Sequence, residues 1–265
     1  MSVKSAIRQL RMKFHGRYGR IVVPRKWVFI AGCTNSGTTL LKRILSAHPS
    51  IASSYREGRY YTDQFPPYGQ YRRLWALHAD ELRMDEHSSN GIDVERLKRQ
   101  WCGVMNHRSR PVFLEKTPQN ALWTRWLQKH FENAHFIGIV RNGYAVAEGM
   151  HRKARHPLEA CAQQWRRSNE IMLADFEHLE RKLLLRYEEL TGDPRTAYRR
   201  ICRFLEIDPG DEEALLNKVW NFQKTRSPIR NMNDRSISAL SEAERRIIEA
   251  HAGSMLRQLG YAFAA

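Results

Sequence analysis

Residues 32–39 are the part of this chain whose types and spacing best suit the binding of a charged ligand. They read GCTNSGTT, between a short apolar run and a helical pattern. A glycine-bearing turn at the start of a helix presents backbone N–H groups to an anion, and the helix dipole adds to the attraction. The segment therefore predicts a phosphate-binding loop, with a glycine turn that holds no ligand as the alternative.

One position separates this loop from the loop that binds nucleoside triphosphates. That loop reads GxxxxGK[ST], and its lysine reaches the β- and γ-phosphates. Thr38 stands in place of the lysine, and we can assign no acidic residue at a strand end to magnesium. We therefore expect the loop to hold a nucleotide phosphate without hydrolysing a triphosphate.

Arg141 is a second candidate for contact with a phosphate. It directly follows the apolar run 135–140. A guanidinium can bind a phosphate through two parallel hydrogen bonds. A salt bridge at the end of a strand is the alternative.

Four apolar runs, each followed by a helical pattern, must position these residues. The runs are 27–32, 112–114, 135–140 and 183–185, and the helical patterns are 38–48, 119–130, 144–152 and 195–205. Strands that alternate with helices favour a parallel sheet covered on both faces. The predicted fold class is α/β: a P-loop-like three-layer fold with a central parallel sheet flanked by helices, a helical insertion and a helical C-terminal tail.

The length suits one domain over residues 1–265. Within it we distinguish a basic N-terminal segment, 1–25, and an aromatic, polar insertion, 60–110, which we expect to be helical. In the tail, Ser241 with Glu244 predicts a capping box at the start of the last helix.

The chain carries 44 Lys and Arg against 28 acidic residues, a formal net charge of +16. Such a surplus favours a polyanionic partner or substrate, although a solvated basic surface is the alternative. The four cysteines fit no zinc template, and reduced thiols in a cytosolic protein are the simpler interpretation.

The first residues have apolar side chains at helical spacing, Val3, Ile7, Leu10 and Phe14, among basic ones. A helix of this kind can contact an anionic membrane surface. Because the stripe is short, we favour a helix packed on the domain. No apolar run approaches the ~20 residues that span a bilayer, and no secretory signal is found. The expected location is the cytoplasm, with peripheral membrane contact as the alternative.

The ordered set of motifs resembles the PAPS-dependent sulfotransferases (PAPS is 3'-phosphoadenosine-5'-phosphosulfate), closest to the Golgi-type and tyrosylprotein branch. The motifs are GxxxSGTTLL in 32–41, EKTP at 115–118, FIGIVRNG at 136–143, the helix 164–172, RYEEL at 186–190, RFL at 203–205 and LGY at 259–261. The resemblance covers roughly residues 27–262. The order of the motifs is what identifies the family, since each motif alone is weak evidence for it.

The resemblance implies transfer of a sulfuryl group from PAPS to an acceptor hydroxyl by in-line displacement, with PAP (the desulfated nucleotide) as product and no metal. It assigns to the nucleotide Thr34, Asn35, Ser36, Gly37, Thr38, Thr39, Arg141, Tyr187 and Ser227. Arg141 would grip the 3'-phosphate. Tyr187 would lie against the adenine, although a core tyrosine is the alternative. Ser227, with Arg230, would belong to a segment that closes over the nucleotide.

Two positions depart from the family pattern. Asn35 stands where the family has Lys or Arg, a cation that stabilises the charge developing on the phosphate. Lys116 is the candidate substitute, ahead of Lys42 and Arg43, which we expect on a helix surface.

The second departure is Gly149, where the family usually has a serine that contacts the nucleotide. Arg152 or Lys153, about one turn later, could supply a replacement contact.

Glu57 stands about where this branch carries its general base. In a desolvated site its pKa would be raised toward the working range. A surface glutamate paired with Arg56 or Arg59 is the alternative, and His107 and His151 are alternative bases.

The segment after Glu57 is expected to line the cleft for the acceptor. Its aromatic residues, Tyr60, Tyr61, Phe65, Tyr68, Tyr71 and Trp75, alternate with Arg59, Arg72 and Arg73. The set suits a carbohydrate, an anionic glycan, a lipid, a small molecule or a tyrosine, and we expect no specific nucleic acid. Helix packing is the alternative for several of them.

Two other functions compete. A P-loop kinase is disfavoured by the missing lysine. A non-catalytic protein that binds polyanions or nucleic acid on a decayed sulfotransferase fold would account for the charge and for Asn35 and Gly149.

Overall fold

The computed structural model describes residues 3–65, 71, 73–88, 91–217 and 229–261. Its strands are β1 Lys26–Ala31, β2 Ile51–Ser53, β3 Val112–Lys116, β4 Ala134–Val140 and β5 Lys182–Arg186. All pairings between them are parallel, and the sheet order is β2-β3-β1-β4-β5. The predicted α/β class is confirmed.

Helices cover both faces of this sheet within the described residues. They are α1 Val3–Tyr18, α2 Thr38–Ser46, α3 Ala79–Leu82, α4 Val94–Val104, α5 Thr124–His130, α6 Gly143–Ala154, α7 Leu158–Glu177, α8 Tyr187–Gly192, α9 Pro194–Leu205, α10 Glu212–Asn217, α11 Asn233–Ile237 and α12 Glu242–Gln258. Short 3-10 turns lie at Gly58–Tyr61, Trp75–His78 and Pro118–Leu122. The capping box of Ser241 and Glu244 opens α12, as the sequence predicts.

The strands are buried because each face of the sheet has its own core. Side chains alternate along a strand, so Trp27 and Phe29 of β1 point to one face and Val28 and Ile30 to the other. The first face packs aromatic side chains from α4, α5 and α7, and the second packs aliphatic ones from α2 and α9. A strand buried on both faces reads as a continuous apolar run, which is why β1 and β4 are recognisable in the sequence.

The carboxyl ends of the parallel strands meet at one edge of the sheet. The β1–β3 register pairs Ile30 with Lys116, and the β1–β4 register pairs Ala31 with Gly138. The loop after β1, the end of β3 and Arg141 after β4 therefore come together. In open α/β sheets this edge is the usual place for a ligand.

β2 is absent from the sequence prediction. It has three residues, and only Ile51 and Ala52 are apolar, so it has neither the length nor the pattern of a strand. It forms because its backbone pairs with β3 from Ile51↔Val112 to Ser53↔Leu114. β2 helps to position the site, because Glu57 follows four residues after this strand ends.

The N-terminal helix packs on the domain, but its apolar stripe takes no part in the packing. α1 contacts α4 through Met12 and Gly16, whose carbonyl oxygens accept from Gln100 and Arg99. The stripe itself points to solvent: Ile7, Leu10 and Phe14 are 52%, 66% and 60% exposed. The helix is therefore packed on the domain through α4, as predicted, and polar contacts to its backbone orient it.

No helix in the described ranges combines the length and apolarity needed to cross a membrane.

Candidate active site

The loop 32–37 has the backbone of an anion-binding turn. Gly32 has φ 154°, and a Cβ there would lie 2.5 Å from the carbonyl oxygen of Ile139. Gly37 has φ 99°, and a Cβ there would lie 2.7 Å from the ring of Tyr187. Both positions therefore require glycine, because a side chain would meet strain and a close neighbour.

The start of α2 leaves donors available for an anion. Gly37 caps the helix without a side chain, so no side chain caps the N–H groups of the first turn. The hydroxyl of Ser36 is buried and has no hydrogen-bond partner among the described residues. These uncommitted donors fit the phosphate and sulfate oxygens of a nucleotide such as PAPS.

Hydroxyl groups of the loop are connected to other parts of the site. Thr34 Oγ1 accepts from Trp75 Nε1 at 3.1 Å, which ties the loop to the insertion. Thr39 Oγ1 accepts from Lys116 Nζ at 3.3 Å, which ties α2 to the end of β3. Thr38 is buried at the start of α2.

Arg141 is buried beside the loop. Its Nη1 donates to the carbonyl oxygen of Asn35 at 2.9 Å, and its Nε donates to Asn233 Oδ1 at 2.8 Å. Its guanidinium lies 4.1 Å from the centre of the Tyr187 ring. Burial lowers the pKa of Arg141, and nearby groups, Tyr187 and Glu188 foremost, counter this. The strand-end salt bridge considered above is not what holds this side chain.

Tyr187 is buried under Arg141 and against Gly37, so its ring forms part of the loop's wall. Its hydroxyl donates to the carbonyl oxygen of Arg230 at 3.1 Å and accepts from the N–H of Met232 at 3.2 Å. Tyr187 thus joins the loop to the chain before α11. Ser227 lies outside the described residues.

Lys153 and Arg152 differ in their surroundings. Arg152 pairs with Glu148 one turn earlier on α6, at 2.5 Å. Desolvation lowers the pKa of Lys153, and the positive charges of Arg152, Arg73 and Arg141 lower it further. Lys153 therefore belongs to a group of cations that repel one another, which is the field a polyanionic ligand would neutralise.

Glu57 and Lys116, the two candidate catalytic residues, contact each other, and Lys116 connects them to the start of α2. Its Oε1 accepts from Lys116 Nζ at 2.8 Å, and its Oε2 accepts from Arg59 Nε at 2.7 Å. Because the same Lys116 nitrogen donates to Thr39, a hydrogen-bonded chain runs from the carboxylate through the ammonium to the phosphate loop. The salt bridge with Arg59, the alternative for Glu57, is present together with this chain.

The pKa of Glu57 is shifted downward, whereas we expected an upward shift. Burial alone would raise it, but the charges of Lys116 and Arg59, with their hydrogen bonds, bring it below its ordinary value. The prediction of a raised pKa is wrong because it left out these two cations. Glu57 is therefore ionised at neutral pH and can accept a proton.

Glu115 has a role that the sequence analysis did not assign. It is buried, its Oε1 accepts from the N–H of Gly58 at 2.7 Å and from Thr117 Oγ1 at 2.7 Å, and its Oε2 accepts from Asn120 Nδ2 at 2.6 Å. Trp101 Nε1 donates to the carbonyl oxygen of Gly58 at 3.1 Å. The backbone next to Glu57 is thus fixed from both sides.

Lys42 also holds this segment, although we expected it on a helix surface. Its Nζ donates to the carbonyl oxygens of Ser54 at 2.5 Å and Arg56 at 3.0 Å. Burial lowers the pKa of Lys42 to about 8, and the charge of Lys116 contributes. The carbonyl oxygens after β2 bring this side chain inward, so the surface assignment is wrong.

Substituting Gly58 by alanine tests this clamp. A Cβ at Gly58 would lie 2.6 Å from Glu115 Oε1, and this carboxylate is also held by Thr117 and Asn120. We expect a cost of about 1–3 kcal/mol and a Tm lower by several degrees. Gly192→Ala is the matched control, since nothing lies within 4 Å of a Cβ there. Equal Tm values for the two variants in thermal unfolding would contradict the clamp.

A cleft of about 1310 Å³ opens beside Glu57 and Lys116. Its lining is strongly basic, and Glu57 is the one acidic side chain among the described residues that line it. The basic lining residues are Arg11, Lys42, Arg43, Arg56, Arg108 and Lys116. The cleft is therefore suited to an anionic molecule.

The aromatic residues predicted to line this cleft divide into two groups. Tyr60 and Tyr61 line it. Phe65 instead stacks on Trp123 in the core, Trp75 is buried, and Tyr71 packs on His78. The prediction that they line the cleft is wrong for these three: Phe65 and Trp75 are buried in the core, and Tyr71 packs within the insertion, the alternative named for such residues. Tyr68 and Arg72 lie outside the described residues.

Neither alternative base lies in the cleft as described, since His107 and His151 are absent from its lining. Elsewhere in the described part of the chain, no group of three or more His, Cys, Asp or Glu side chains could hold a metal ion. All four cysteines are buried free thiols.

Comparisons with known proteins agree with this geometry. The profile of the sulfotransferase family matches residues 28–212, more than half of the chain. Protein-tyrosine sulfotransferase 1 of Danio rerio is 29% identical over 211 residues, which are 72% of this chain and 57% of that protein. The chain spans about half the length of the curated relatives it matches.

Two solved structures show the same fold. The sulfotransferase domain of the Synechococcus PCC 7002 olefin synthase has a TM-score of 0.64 at 22% identity, covering 91% of this chain and 97% of that chain. A mouse sulfotransferase solved in complex with PAP has a TM-score of 0.50 at 15% identity, and the match covers 93% of this chain and 89% of that chain. The resemblance drawn from the order of the motifs is confirmed. The chain therefore belongs to the sulfotransferase family of transferase enzymes.

Proposed function

We propose that this chain transfers a sulfuryl group from PAPS to a hydroxyl group of an anionic acceptor, with Glu57 as the general base. The observation that carries the proposal is the hydrogen-bonded chain from Glu57 through Lys116 to Thr39. It places a carboxylate that is ionised at neutral pH next to a buried cation, which in turn contacts the phosphate loop. These are the two functions that sulfuryl transfer asks of a protein.

The nucleotide would be held by the loop and by Arg141. The uncapped first turn of α2 and the buried Ser36 hydroxyl would donate to oxygens of the 5'-phosphosulfate. Arg141, beside the loop and close to Lys153, would bind the 3'-phosphate. Bound PAPS supplies the activated sulfuryl group, and the remaining chemistry belongs to the residues of the chain.

Glu57 and Lys116 are coupled through their shared hydrogen bond. When Glu57 takes the proton of the acceptor hydroxyl, the carboxyl loses its charge and its attraction for Lys116 weakens. The ammonium, still next to Thr39, then acts on the phosphate side of the site. Proton removal on the acceptor side would thus strengthen charge stabilisation on the phosphate side, as electrostatic catalysis requires.

The acceptor is an anionic molecule that carries a hydroxyl group. The basic lining of the cleft supports this class, and the guanidinium groups of Arg8, Arg56 and Arg59 lie 5.7, 5.1 and 4.4 Å from the centre of the Tyr60 ring, which lines the cleft. A tyrosine within an acidic peptide is the first candidate, since the curated relatives are named protein-tyrosine sulfotransferases. An anionic glycan has the same charge and is the second.

The test is transfer of label from [35S]PAPS to an acidic tyrosine peptide and to an anionic glycan, with wild-type protein and Glu57→Gln. We expect one acceptor to gain label while PAP appears in equal amount, and the variant to lose this activity. Binding of both acceptors without transfer, equally in the two proteins, would favour the non-catalytic polyanion binder instead.

A further inference from the structure

The phosphate loop lacks a cation of its own at Asn35, but an arginine from the insertion reaches that position. Arg73 Nη1 donates to Asn35 Oδ1 at 3.3 Å. The same stretch of the insertion is fixed two residues later, where Trp75 donates to Thr34. Arg73 is therefore held against the loop at the residue that brings no charge.

The backbone of Arg73 is strained in a way that supports a specific role. Its φ is 140°, a region that residues with a side chain rarely adopt. Such conformations are unfavourable and cluster where a site needs them. A glycine would adopt this φ freely, so the presence of an arginine indicates that its side chain matters.

Asn35 and Gly149, the two departures from the family pattern, lie against each other. A Cβ at Gly149 would be 3.3 Å from Asn35 Nδ2. This amide nitrogen is buried and has no partner in the described part of the chain. A serine at 149 would bring its side chain into the space that the amide occupies. The two substitutions therefore fit together, and Asn35 offers an unused donor to a ligand.

Arg73 also lies close to the other cations of the site. The pKa of Lys153 is lowered by desolvation and then by the charges of Arg152, Arg73 and Arg141. Arg73 is thus near enough to Lys153 to repel it, although it comes from the insertion.

We propose that Arg73 supplies the positive charge that the loop lacks at residue 35, and that Asn35 positions it while Gly149 leaves room for Asn35. The charge acts on the 5'-phosphate of the nucleotide, where negative charge develops as the sulfuryl group leaves. Lys116 is then one of two cations on this phosphate, and not the sole substitute. The inference rests on the proposed function, since it needs the nucleotide in the loop.

The test uses PAP alone, so it needs no acceptor. Phosphorus NMR resolves the 5'- and 3'-phosphates of bound PAP, and a pH titration gives the pKa of each. An opposite charge within ~6 Å lowers the pKa of an anion by about 1 unit or more. Arg73→Gln should therefore raise the pKa of the 5'-phosphate by about 1 unit and leave that of the 3'-phosphate unchanged.

Three further variants identify the cause. Arg73→Lys keeps the charge and should keep the low pKa. Adding Asn35→Lys to Arg73→Gln returns a cation to the loop and should restore the low pKa of the 5'-phosphate. Arg167→Ala is the control, because it removes one exposed arginine whose ion pairs with Glu170 and Asp80 are long, at 3.8 and 3.9 Å. Asn35→Gly is compatible with φ 70° at that residue, and it removes the side chain that holds Arg73 while Arg73 itself stays unchanged. If Arg73→Gln fails to fold, this variant should show the raised pKa of the 5'-phosphate in its place.

Each outcome decides a different claim. If PAP does not bind to folded wild-type protein, both the proposed function and this inference are contradicted. Binding of PAP with the same 5'-phosphate pKa in wild type, Arg73→Gln and Arg167→Ala would overturn the role of Arg73 alone. A change confined to the 3'-phosphate would reassign Arg73 to the other end of the nucleotide and also overturn it.

Discussion

Replacing Glu57 by glutamine is expected to slow sulfuryl transfer by about 10²–10⁴-fold, the usual effect of removing a general base. Glutamine has nearly the same shape, and its one carbonyl oxygen can still accept from Lys116 or from Arg59, whose distances to Glu57 are 2.8 and 2.7 Å. It cannot take the proton of the acceptor. The rate constant should therefore fall while the affinity for PAP stays within a small factor of wild type.

The measurement is the rate of label transfer at saturating PAPS, together with calorimetry for PAP. Glu132→Gln serves as the matched control, since it is an exposed glutamate between α5 and β4. A Glu57→Gln variant that transfers label as fast as this control would show that another group takes the proton.

Lys116→Met is the second substitution with a large expected effect, about 10²–10³-fold on the rate of transfer, as for removal of one donor that stabilises a developing charge. Lys116 is only 4% exposed, so methionine keeps most of the packing while it removes the charge and both hydrogen bonds. Lys182→Met, at an exposed position of β5, is the control.

The same variant should also alter the pH dependence. In wild type the two cations hold the pKa of Glu57 below its ordinary value, so activity should fall only when the pH drops below the usual glutamate range. Without Lys116, burial is opposed by Arg59 alone, and the pKa of Glu57 should rise. The acid limb of kcat/KM should then move to higher pH. An acid limb at the same pH in both proteins would contradict the coupling of Glu57 to Lys116.

The phosphate side of the site could be predicted from the sequence because its residues are close together in the chain or end an apolar strand. The loop 32–39 carries its own glycines, and Arg141 directly follows a strand that is buried on both faces. A parallel sheet then brings these strand ends to one edge without further information.

The acceptor side could be predicted only in part because tertiary contacts form it. β2 exists through its pairing with β3, and Glu115 reaches Gly58 across the sheet edge. Phe65 and Trp75 resemble cleft-lining residues in composition but fill the core, which no local pattern distinguishes. The strained Arg73 leaves no sequence signal beyond the missing charge at Asn35.

The direction of the Glu57 pKa shows the same limit. The sequence predicts that Glu57 is buried near a site, but it does not predict which cations contact it. These come from different segments: Arg59 lies two residues later, and Lys116 lies at the end of β3. A pKa depends on the balance of these opposing effects, so it follows from the assembled site and not from one segment.

Calorimetry with PAP on wild-type protein and Arg141→Met tests the nucleotide site, the central claim, most directly. Arg141 is buried and lies between Asn35 and Asn233, so methionine removes a preorganised charge while keeping an unbranched side chain. Arg246→Met, an exposed residue of α12 paired with Glu242, is the control. We predict micromolar binding to wild type and to the control, and a loss on the order of 100-fold for Arg141→Met. Absence of binding to folded wild-type protein, or equal binding to all three, would contradict the account.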